Sequence, residues 1–396
     1  MLQVHDLFTS ASLAYQRTEV ESRREPFIGQ IFFPNRKKAG IDLKWIKTHK
    51  GLNAIMKTSN FDSVPALRTR QGLSMTQTEM PLFRESMIVK ETDMMEIQRA
   101  LDSNDPYVAA ALADIYDDAN VLIDGADIAV ERMRMQLLSG NGGNPGITLG
   151  TADNMIHHYD YDSDGTWKKS HYMELTDEAT WDKAATAKPL DDLQTAIEYL
   201  QSQGVSPQYM LTNSTTFRYL AAAEQIRNTY VSKLGAVTGF LTTSTISSVI
   251  TDSVGVTPLV YNKMFVDYDN AEKKFYPDGY VTIIGSGQLG STWYGTTPEE
   301  RTLLGSTNLG NVDISVLDRG VALAVMTEYK PSVVTSTTVS QLALPSFEGM
   351  DSIFVFLLYF FVFLLFPGFF FLCKAKPMEG APSVLLHQYE NYKVIN

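Results

Sequence analysis

Apolar residues recur at helical spacing over about 107–139, where Val108, Ala111, Leu112, Ile115, Val121, Leu122, Ala126, Ile128 and Met133 form one stripe. This is the strongest periodic signal in the chain and predicts a long helix, with a bend or break near Asp124-Gly125. The run Gly140-Asn141-Gly142-Gly143-Asn144-Pro145-Gly146 stops it, because successive glycines and a proline are poor helix formers. A second helix is predicted from Pro189 to about Gln203, with Leu193, Ile197 and Leu200 on one face and Gly204 as its stop. A short strand at about 205–211 leads to a third helix that begins after Thr212-Asn213 and reaches Ala223. A looser pattern over 5–25, with Leu7, Leu13 and Tyr15, predicts an N-terminal helix.

Elsewhere the pattern favours strands. Residues 28–45 mix aromatic and β-branched types around Pro34 and Gly40, which predicts strands joined by turns, and extended structure follows to about residue 90. Residues 154–181 are aromatic, acidic and turn-rich, a β-ribbon turning at Asp162-Ser163-Asp164-Gly165. From 240 to 330 strands and turns dominate, with strands at 257–261, 263–267, 281–285 and 321–327, and a further one at 333–344. The class is mixed α+β. No regular repeat marks a solenoid or propeller.

The 396 residues are enough for two connected cores or one large irregular domain. With 44% hydrophobic and 20% charged residues the balance is globular. Cys373 is the only cysteine, which rules out disulfides or a cysteine-based metal site within one chain. A formal net charge of -12 opposes base-specific nucleic-acid reading. The basic concentrations, Arg23-Arg24 and Arg36-Lys37-Lys38 to Lys50, face either solvent or a nucleic acid. The N-terminus lacks the basic start and apolar core of a signal peptide, which fits synthesis in a reducing cytoplasm.

Candidate chemistry is sparse. Gly285-Ser286-Gly287-Gln288-Leu289-Gly290 has dinucleotide-loop spacing after an apolar strand, but Ser291-Thr292-Trp293-Tyr294-Gly295 is a poor helix start, so a glycine-permitted turn is expected. Asp160, Asp162, Asp164 and Gly165 imitate the start of a calcium loop, yet His171 stands where a closing Glu is needed, and an acidic turn is the simpler reading. His157 and His158 are adjacent, so on a strand they face opposite ways, and with His171 they make no first shell for a metal. Asp117-Asp118 lies within a helix, and Asp191-Asp192 suits the first turn of one, where carboxylates complement free N–H groups. No nucleophile elbow, phosphate loop or zinc-protease helix is present. No enzyme activity, metal or cofactor is expected.

Several segments together resemble the E-type family of tailed-phage major capsid proteins, whose members adopt the HK97-like fold. They are Met80-Pro81-Leu82-Phe83, the helix ending in Arg132-Met133-Arg134-Met135-Gln136-Leu137-Leu138-Ser139-Gly140, Pro189-Leu190-Asp191-Asp192-Leu193, and Met210-Leu211-Thr212-Asn213 with Phe217. Phe275-Tyr276-Pro277-Asp278-Gly279, Gly290, Tyr294-Gly295 and Leu344-Pro345 complete the order over about residues 1–355. The resemblance implies a non-enzymatic icosahedral head shell around double-stranded DNA, built from copies of the chain as pentamers and hexamers with scaffold and portal partners. It implies an N-terminal arm and first peripheral strands at 1–44, an extended loop at 45–90, and a peripheral domain at 91–184 around the spine helix. A mainly axial domain would occupy 185–345, and a terminal strand 346–355. Phe61, Val64, Phe83 and Met87 are the candidate intersubunit contacts. An encapsulin-like compartment shell is the alternative on the same fold; a membrane-anchored enzyme or binding protein is the alternative of another class.

That last alternative comes from the tail. From Ile353 to Leu372 run 20 residues without a formal charge, followed by Cys373, Lys374 and Lys376. As a helix this stretch would measure about 30 Å, enough to cross a bilayer. An exposed surface of this kind on a shell protein invites aggregation. Residues 356–396 are therefore read first as the product of a shifted frame beginning near 355, and otherwise as a membrane segment or a buried, assembly-directed extension.

Overall fold

The computed structural model describes residues 9–21, 25–47, 74–89, 92, 95, 99, 107–150, 156–234, 242–305, 312–317, 320–328 and 334–358. Its first elements are helix α1 (Ser10–Glu21), a helical turn α2 (Gly29–Phe32), and strands β1 (Asn35–Lys37), β2 (Asp42–Lys47), β3 (Ser74–Glu79) and β4 (Leu82–Val89). The N-terminal helix forms where expected. Residues 28–33, however, are a helical turn rather than a strand, because Phe32 and Phe33 are both buried there beside Gly29, which sits against Glu131 and Arg134 with no room for a Cβ.

The long helix is α3 (Tyr107–Leu138), 32 residues and about 48 Å. It passes through Gly125 unbroken. One glycine costs only about 1 kcal/mol relative to alanine, and Leu122, Ile123, Ala126 and Val130 are buried on either side of it. Of the predicted stripe, Leu122, Ala126 and Met133 are buried and Ile128 is half-buried, but Val121 is 57% exposed. The glycine run then ends the helix, with Gly140, Asn141, Gly142 and Gly143 all at positive φ.

Next come β5 (Gly146–Gly150), β6 (Ile156–Asp160), α4 (Thr166–His171) and β7 (Tyr172–Leu175). The ribbon expected at 154–181 is absent: β6 pairs back onto β5, and the acidic turn opens α4 instead of a returning strand. Helix α5 (Pro189–Ser202), β8 (Pro207–Thr212) and α6 (Ser214–Ala222) match expectation, the last with Asn213 accepting from the Thr216 N–H as its N-cap. Helices α7 (Glu224–Leu234) and α8 (Thr243–Val254) precede β9 (Thr257–Val260), β10 (Met264–Val266), β11 (Glu272–Lys274), β12 (Tyr280–Gly285) and β13 (Thr292–Tyr294). Helix α9 (Pro298–Gly305), β14 (Val312–Val316), β15 (Val321–Glu328), β16 (Val334–Pro345) and β17 (Ile353–Leu358) complete the order.

Two sheets organise these elements. The six-stranded sheet runs β1-β13-β16-β15-β14, with β4 on β16, and α3 packs across it. Leu13 of α1, Leu122 and Ile123 of α3, and Val321, Leu323 and Val339 form one core there. The five-stranded sheet runs β7-β17-β12-β8-β9. One face carries α5 to α8 through a core that includes Leu193, Phe217, Ile250 and Ile283. Its other face joins Met133, Leu137 and Leu138 of α3 in the largest core.

Strand β17 lies inside the second sheet, antiparallel to β12 and parallel to β7. Ile353, Val355 and Leu357 enter the largest core, while Phe354, Phe356 and Leu358 enter the helix-covered one. A strand buried on both faces reads as an unbroken apolar run. The first six residues of the 353–372 segment are thus sheet, not the start of a spanning helix, and the terminal strand continues three residues past 355. Among the described residues no helix is long and apolar enough to cross a membrane. Residues 359–396 lie outside the described residues.

Candidate assembly surface

The N-terminal segment is fastened to α3 by charge. Arg17 of α1, only 3% exposed, pairs with Asp124 and with Asp127 at 2.8 Å. Two turns before the end of α3, the fully buried Glu131 accepts from the Gly29 N–H at 3.0 Å and from the Tyr261 hydroxyl at 3.1 Å. Its partner Arg134 reaches Thr292 of β13 at 2.9 Å and Asn35 of β1 at 2.6 Å. Burial pushes the Glu131 carboxyl up, against the pull of Arg134 and its hydrogen bonds; burial likewise pushes Asp127 up against Arg17. The Tyr261 hydroxyl is raised by burial and then by the Glu131 charge. Arg17 and Glu131 escaped the sequence reading, which took Arg134 only as part of the helix end; the available signal was Glu131 and Arg134 set among buried positions of an otherwise apolar stripe.

Beyond this base a two-stranded ribbon forms, β2 antiparallel to β3 from Asp42 opposite Glu79 to Lys47 opposite Ser74. Leu43 and Met80 root it in the largest core, and the Met80 N–H donates to the Ile41 carbonyl at 3.0 Å. Of the candidate intersubunit contacts, Phe61 and Val64 lie outside the described residues. Phe83 is half-buried against the largest core and Met87 against the core beneath α3, so the inward face of β4 packs within its own subunit. Of the basic stretch, Arg36 lies over the Trp293 ring at 5.8 Å and Lys37 pairs with Glu300.

The chemistry-like motifs resolve into backbone architecture. Asp162, three residues before the N-cap Gly165, accepts first-turn N–H groups of α4 from Trp167 at 3.0 Å and Lys168 at 3.1 Å, while Asp160 and Asp164 accept N–H groups of the same turn. Gly285 ends β12 and no helix follows until Pro298; a Cβ on Gly290 would lie 1.9 Å from the Ser346 carbonyl oxygen. His157 and His158 are exposed on β6, whereas His171 is buried, stacked on Trp167. Asp191 and Asp192, in the first turn of α5, accept from the Gln225 side chain at 2.8 Å and the Trp181 indole at 2.9 Å. Among the described residues no group of acidic, histidine or cysteine side chains could hold a metal ion.

The model of the family described as phage major capsid protein E matches residues 9–336. The chain belongs to that family. The capsid subunit is a structural protein with the mixed α+β, HK97-like architecture. Among solved structures it is similar to a candidate prophage capsid protein of E. coli CFT073, at 12% identity and a TM-score of 0.55, covering 89% of this chain and 99% of that one. It is also similar to a phage-related protein of Bordetella bronchiseptica RB50, at 11% identity and a TM-score of 0.48, covering 88% and 96%. A search of curated proteins gives no match.

Proposed function

We propose that the subunit assembles into the closed icosahedral head shell of a tailed phage or prophage and encloses double-stranded DNA. The observation that carries this reading is membership of the capsid family over residues 9–336. The ribbon supports it: two strands alone are marginal in water, so one that leaves the body of the subunit gains by burial on neighbours. In this reading the copies form pentamers and hexamers, with scaffold and portal proteins as partners. DNA is held without base reading, as a chain of net charge -12 suits. The long helix and six-stranded sheet then make up the peripheral domain, and the five-stranded sheet with α5 to α8 the axial one. Phe61 and Val64 on the extended loop are contacts to neighbours; Phe83 and Met87 support them from within.

The test is electron microscopy of particles formed by the full chain and by residues 1–358, each expressed with its scaffold. Uniform closed shells are expected from both. A folded monomer that persists across salt and concentration in both cases would overturn the reading.

A further inference from the structure

We draw no further inference here: the strongest candidate, the apolar surface of the β10–β11 hairpin on which Met264, Val266 and Tyr268 are each more than half exposed, carries nothing because nothing in the structure shows what covers it.

Discussion

At the scale of single residues, the buried charges of α3 decide more than their number suggests. Removing Arg134 leaves Glu131 fully buried and short of its ion-pair partner, so Arg134→Ala should cost about 3–5 kcal/mol. Urea unfolding of the unassembled subunit measures this, and a loss under 1 kcal/mol would show that water reaches the site. The pH dependence has a definite sign. Because burial raises the folded carboxyl of Glu131 above its ordinary value, its contribution to stability is fully present below the unfolded value of 4.5 and is lost as pH rises through the folded one. Glu131→Gln should therefore flatten the stability curve above pH 4.5, which a denaturation series over pH resolves. Gln341 offers a milder case. It is fully buried, its amide donates to the Ala126 carbonyl, and its Oε1 has no hydrogen bond among the described residues, a deficit of about 1–3 kcal/mol. Gln341→Met should be neutral or stabilising in a thermal melt.

At the scale of elements, local capping chemistry outweighs motif likeness. Asp162→Ala removes the acceptor for two N–H groups of α4 and should lower stability by about 0.5–2 kcal/mol, whereas millimolar calcium should leave the melting temperature of the unaltered protein where it was. A calcium-dependent rise would reinstate the cation reading of that loop. The same contrast explains which elements were legible. Helix α3, α5 and β16 declare themselves because a single face or a long β-branched run repeats enough times to be seen. Helix α8 fell in a stretch read as mainly strands and turns, since Thr, Ser, Ile and Val dominate it, although Thr242 capping Thr245, Ile246-Val249-Ile250 spacing and Gly255 at φ 78 all mark a helix. Helix α9 was missed despite Pro298 followed by Glu299 and Glu300, a helix start in miniature. The strand expected after the acidic turn failed for a different reason: Trp167 is buried with its indole donating to the Met350 carbonyl, a contact 183 residues away that no local pattern contains. The candidate assembly surface was legible only as an extended segment, because the pairing of β2 with β3 joins residues 27 or more positions apart.

At the scale of the whole molecule, β17 is the closing piece. Each of its six side chains is 9% exposed or less, and burying one apolar side chain is worth about 1.5–3 kcal/mol, so the second sheet depends on it. A chain ending at Leu358 should unfold cooperatively, and one ending at Ser352 should show neither a cooperative melt nor near-ultraviolet dichroism; a native-like melt from the shorter chain would show the strand to be dispensable. The position of this strand also sets a schedule. Its neighbours in the sheet, β7 and β12, are made well before it, and the stretch between Gly285 and Ile353 takes roughly 3 to 14 s to translate at about 5–20 residues per second. For that interval β12 waits beside an empty place in the sheet, so the nascent subunit cannot finish folding ahead of its own synthesis. In the proposed shell, assembly would therefore draw on chains translated at least through Leu358, and the moment β17 inserts acts as the subunit's own check that translation has run through the last of its described core strands.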